Sequence, residues 1–118
     1  MITYVALGFF GIATVSGLFI ALKRMSYKPV ARTTGFTHGT LGVIGFALIL
    51  TQGILEGFSS QLVLFAGLFS AVAALGGYMF NLRLQDREIP LPIVLLHGTL
   101  AIAAISVLIV FTFPSLWQ

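Results

Sequence analysis

Cysteine is missing from this chain, and charge is scarce. With no thiol among its 118 residues, disulfides, thioether-attached cofactors and cysteine-held iron–sulfur clusters are excluded. Lys, Arg, Asp and Glu make up 8% of the residues, where a water-soluble domain carries about 25%. So few charges cannot coat a water-facing surface, and 58% of the chain is hydrophobic. These proportions point to an integral membrane protein. A basic stretch ahead of the first apolar run is also lacking, so that run reads as a span and not as a cleavable signal peptide.

What is present is four long apolar runs, at about 2–22, 33–54, 62–80 and 91–113. Each approaches the roughly 20 residues a helix needs to cross the hydrocarbon core. Helices satisfy their own backbone in lipid, and none of these runs alternates as the strands of a β-barrel do. The expected fold is an all-α, four-helix transmembrane bundle. Its polar residues sit in the connections. Lys23, Arg24, Lys28 and Arg32 lie between runs one and two, and Arg83 and Arg87, with Asp86 and Glu88, between runs three and four. The middle connection holds only Glu56. All six basic residues therefore fall on one membrane face. The positive-inside rule makes that face cytoplasmic and puts both termini on the other side, with Tyr4 and Trp117 at the outer interface. This accounts for the positive net charge and removes the case for nucleic acid as a partner.

The chain repeats itself. Shifted by 59 positions, its halves (about 1–59 and 60–118) align without a gap. Gly8 falls on Gly67, Phe10 on Phe69, Gly17 on Gly76, Arg24 on Arg83, and His38-Gly39-Thr40-Leu41 on His97-Gly98-Thr99-Leu100. Each half has two spans, so both halves enter and leave on the same side. They are parallel two-helix repeats in a single transmembrane domain, related by a pseudo-two-fold axis along the membrane normal. The two histidines are the only ones in the chain. The repeat places them at equal depth, and they face each other if both point to the axis.

A polar side chain inside a membrane is a functional candidate by default. Two imidazoles facing one axis can ligate the two sides of one six-coordinate b-type haem iron. Gly42 and Gly45, one and two turns beyond His38, leave room for a flat macrocycle, as do Ala101 and Ala104 after His97. Arg24 and Arg83 end spans one and three on the nearer face, where a guanidinium can fork onto a carboxylate such as a haem propionate. Thr40 and Thr99 are expected to bond back to a carbonyl one turn earlier. Each element also has a plainer reading. Small residues at helical spacing, including Gly8, Gly11, Gly17, Gly67 and Gly77, are ordinary membrane packing. The arginines are topology signals, and the histidines are hydrogen-bonded structural residues kept from one duplication.

Four spans with histidines on facing helices resemble the small membrane cytochromes of the b561-like group. The resemblance spans the chain as architecture and rests on His38 and His97. It implies a bis-histidine b-type haem near the cytoplasmic face and electron exchange with a quinone or a partner redox subunit, alone or as a homo-oligomer. The chain would be at most a quinone-linked oxidoreductase. It departs from the family in one respect. Many members carry four histidines and two haems, one near each face, whereas two histidines allow a single haem.

Other functions fit less well. A proton-coupled drug exporter of this size needs a carboxylate within the membrane, and here Glu56, Asp86 and Glu88 all lie in connections. Two histidines are too few for a zinc site. No acidic residue neighbours either one to form a hydrolytic triad. Two alternatives stay open. In one, the histidines hold chlorophyll-type pigments. In the other, the chain is a cofactor-free accessory subunit of a larger membrane complex.

Overall fold

Four helices account for nearly the whole molecule. The computed structural model describes residues 1–117, with side chains through Ser115, so the Trp117 ring lies outside the described residues. The helices are α1 (Ile2–Met25), α2 (Arg32–Glu56), α3 (Ser60–Leu84) and α4 (Leu91–Thr112), followed by a 3-10 turn, Pro114–Trp117. Each is long and apolar enough to cross a bilayer. The chain is an all-α membrane protein folded as a four-helix bundle. Its 43 Å long dimension matches the roughly 40–45 Å of a bilayer with its headgroups. The surface is correspondingly greasy, with Ile12, Val15, Ile54 and Ile102 all turned outward.

The helices outrun the apolar stretches at the basic end. Runs expected to stop near residues 22 and 80 continue as helix to Met25 and Leu84. Helix continuation needs only local hydrogen bonds, and long cationic side chains reach the interface from inside a helix. Lys23 does so over the ring of Phe19, 4.8 Å from its centroid.

Connections follow local chemistry. Between α2 and α3, Gly57 has φ +94°, a conformation that disfavours any side chain, and the Ser59 hydroxyl caps α3 by accepting from the Leu62 amide at 3.2 Å. Pro92 sits in the first turn of α4, where its missing amide hydrogen costs nothing. The two basic connections use one design 59 residues apart. Lys28 and Tyr27 donate their amides to the carbonyls of Lys23 and Arg24, and Arg87 and Asp86 donate theirs to Leu82 and Arg83. This is the Schellman ending, with Tyr27 and Asp86 left-handed at φ +53° and +54°.

Packing runs in the cyclic order α1, α2, α3, α4, most extensively within α1–α2 and within α3–α4. The helices on each diagonal, α1 with α3 and α2 with α4, have no close backbone approach among the described residues. A core of Ala6, Phe10, Ile49, Leu62, Phe65, Phe69, Ala104 and Leu108 lies in the half of the bundle away from the basic connections. Phe10, Phe46, Phe65 and Phe69 form its centre, with the Phe65 and Phe69 rings stacked at 5.6 Å. Beyond them the Thr3 hydroxyl donates to Gln52, whose amide donates to Glu56 at 3.1 Å. Tyr4 rests edge-on against Phe113 at 5.7 Å.

The left-handed Tyr27 is strained for a side chain that is 98% exposed and so contributes no packing. Tyr27→Gly should therefore raise the unfolding free energy in mixed micelles by about 0.5–1 kcal/mol, while Gly57→Ala lowers it.

Candidate functional site

His38 and His97 each lie six residues into their helix, counted from Arg32 (38 − 32) and from Leu91 (97 − 91). At 1.5 Å per residue that is a depth of about 9 Å on both sides. They come from helices on the bundle's diagonal, and they meet. Their ring centroids are 6.1 Å apart, with ring planes crossed at 72°.

Each imidazole is fixed by the neighbouring helix of its own pair. His38 Nδ1 lies 2.8 Å from the Ala13 carbonyl oxygen, and His97 Nδ1 lies 3.0 Å from that of Val72. The sequence offset is 25 residues in both cases. A carbonyl only accepts, so in each contact Nδ1 carries the proton and donates. The accepting carbonyls already serve their own helices, through the amides of Gly17 and Gly76, and their second lone pair takes the imidazole.

Glycine makes this reach possible. A helical side chain leans over the turn N-terminal to it, so a side chain at 17 would cover the carbonyl of Ala13. A Cβ there would meet His38 Cε1 at 2.7 Å, and one at Gly76 would meet His97 Cε1 at 3.2 Å. Gly17, expected to serve packing, and its repeat partner Gly76 are thus the seats of the two histidines. The clue was already in the sequence, since Gly17 and Gly76 are a repeat-related identity 21 residues ahead of the repeated histidines.

The surroundings are not fully symmetric. Ser16 places its hydroxyl 3.4 Å from His38 Nδ1 while donating to the Ala13 carbonyl at 2.9 Å. Its repeat partner is the apolar Leu75. Thr99 bonds back to the Leu95 carbonyl at 2.8 Å as expected; among the described residues Thr40 has no such bond. Gly42 and Gly45 face phenylalanines. A Cβ on Gly45 would lie 3.0 Å from the Phe10 ring, and one on Gly42 3.6 Å from Phe69. They seat the aromatic cluster just beyond the histidine pair.

On the other side of the histidines lies an open cleft of about 540 Å³ lined by Arg24 and Arg83 together with Lys28 and Arg87. Arg83 donates to the Val30 carbonyl of the first connection, and Arg32 pairs with Asp86 of the second at 2.6 Å. Both basic connections therefore meet at one end of the bundle. Neither Arg24 nor Arg83 is paired with a carboxylate among the described residues.

No protein-family model, curated protein or solved structure matches the chain. Chemically, the site consists of two imidazoles whose Nδ1 atoms are committed to backbone carbonyls. No hydrogen bond reaches either Nε2 among the described residues. Among the described residues, no cluster of three or more His, Cys, Asp or Glu accompanies them.

Gly17→Ala should destabilise the α1–α2 pair more than Gly76→Ala destabilises α3–α4, following the 2.7 and 3.2 Å approaches. In a His38→Ala background the Gly17→Ala penalty should shrink, giving a double-mutant coupling of about 0.5–3 kcal/mol in detergent unfolding. Additive penalties would mean that the glycine does not serve the histidine.

Proposed function

We propose that the chain is a membrane electron-transfer protein in which His38 and His97 hold one b-type haem between α2 and α4. One observation carries this reading: two imidazoles on the bundle's diagonal, 6.1 Å apart, with each Nδ1–H bonded to a backbone carbonyl. Metal-binding histidines characteristically donate the other ring nitrogen to a carbonyl or carboxylate, which fixes the tautomer and the ring. His38 and His97 would hold such a group from opposite helices, and their ring centroids, 6.1 Å apart, lie close enough for both to reach one metal ion. The residues present fit the group on those two counts, and the remaining four donors are ones the tetrapyrrole brings.

A haem held there supplies one-electron exchange between ferric and ferrous iron. The protein's part would be to offer the two histidines at matched depth as the residues that hold it, a pairing that favours electron exchange over oxygen chemistry. The phenylalanine cluster keeps water from one side. Arg24 and Arg83 would hold or screen the propionates on the other. That end is the cytoplasmic one by charge, which leaves the termini outside. One haem near one face does not carry an electron across the bilayer, so the reading includes a quinone or a partner redox subunit that takes the electron on.

The glycine seats favour a second reading, in which each histidine is only a clamp. The same hydrogen bonds tie α2 to α1 and α4 to α3, and they need no cofactor. The chain would then be an accessory subunit.

A dithionite-reduced minus oxidised spectrum of protein produced with ample haem separates the two. The haem reading predicts a narrow low-spin b-type signal that is lost or turned high-spin by His38→Ala and equally by His97→Ala. A folded wild-type protein with no chromophore would leave the clamp, and a chlorophyll-like spectrum would assign the histidines to pigments.

A further inference from the structure

The cleft at the basic end brings together more charge than orientation in the membrane requires. Its cations are two repeat-related pairs, Arg24 with Arg83 (24 + 59) and Lys28 with Arg87 (28 + 59), and all four line one cavity of about 540 Å³. The positive-inside rule asks for basic residues on a face. It does not ask for them to converge. The convergence comes from the paired Schellman endings, which release Lys28 and Arg87 from the same turn position on α1 and α3.

Neutralisation within the protein is incomplete. Asp86 and Glu88 also line the cleft, but Asp86 is held by Arg32. The four cations thus face Glu88 alone as an uncommitted acid. The rest of the wall is apolar and includes Met25, Leu91 and Val94. Leu91 and Val94 belong to the first turn of α4, whose amide ends carry the positive pole of the helix. The site is therefore cationic at its mouth and greasy along its side, and it sits where spanning helices end.

We propose that this cleft binds the phosphodiester head of an anionic phospholipid, with acyl chain along the α1–α4 seam. Basic pockets between membrane helices on the positively charged side take acidic headgroups by charge and hydrogen bonding together. A soluble anion would satisfy the charges but not the apolar wall. The inference does not depend on the histidines: Lys28 and Arg87 extend the cationic wall beyond the arginine pair assigned to propionates.

The test uses delipidated full-length protein in a neutral detergent. Binding of dioleoylphosphatidylglycerol is followed by native mass spectrometry and by the shift in melting temperature, beside dioleoylphosphatidylcholine and inorganic phosphate. The expected result is selective retention of the anionic lipid and a rise in melting temperature with it alone. Lys28→Gln with Arg87→Gln should weaken that binding about thirtyfold with helix content and any haem content unchanged. His38→Ala should leave it intact. Equal binding of the zwitterionic lipid, or undiminished binding by the double variant, would overturn the proposal. Equal protection by inorganic phosphate would also overturn it and make the cleft a site for soluble anions.

Discussion

Two hydrogen bonds organise the half of the bundle nearer the basic connections: the imidazole N–H groups of His38 and His97 against the carbonyls of Ala13 and Val72. A polar ring in the hydrocarbon region is expensive unless its donor is satisfied, and inside lipid no water is at hand to do it. The solution found here borrows a spare lone pair from a carbonyl of the adjacent helix. It fits best where the covering residue is glycine, since a Cβ would come within 2.7 Å of His38 and 3.2 Å of His97. Gly17 and Gly76 follow from that requirement, and so does the close approach within each helix pair. A helix pair spaced for a larger residue at 17 or 76 would leave the imidazole short of its acceptor.

The same constraint decides what the site can offer. Once Nδ1 holds a proton and spends it on the backbone, Nε2 is the ring nitrogen left without a partner among the described residues. On the proposed reading, two such nitrogens at matching depth on diagonal helices suit a ligand with two equivalent faces better than one that needs three or four protein donors. Around them the bundle is graded from one end to the other. Packed phenylalanines lie on one side of the histidines and paired cations on the other. The gradient arises because each repeat contributes the same three elements, an aromatic, a histidine with its glycine seat, and an arginine, at the same heights.

Much of this was legible in the sequence. Four continuous apolar runs with charge confined to the connections specified the spans. The 59-residue offset picked out the residues that recur at matching heights, from Phe10 and Phe69 to Arg24 and Arg83. The repeated histidines were visible as a pair before any coordinates. Their Nδ1 acceptors were not, because a backbone carbonyl 25 residues away carries no side-chain signature. Gly42 and Gly45 read as open space beside His38, but a sequence does not say which neighbour fills a gap, and Phe10 and Phe69 close on them. Helix ends at Met25 and Leu84 lay beyond the apolar runs because hydropathy marks where lipid ends and not where hydrogen bonding does. The left-handed Tyr27 and Asp86 carried no signal either, since the usual glycine is absent from both turns.

The account stands or falls on the protonation of the two rings, because both the fixed geometry and the free nitrogens depend on it. The direct measurement is solid-state nitrogen-15 NMR of histidine-labelled protein in bilayers at neutral pH. The predicted result is two neutral imidazoles, each protonated at Nδ1 and hydrogen-bonded there, with Nε2 either bare or shifted by a bound metal. A proton on Nε2 of either ring, or a charged imidazolium at that pH, would contradict the account.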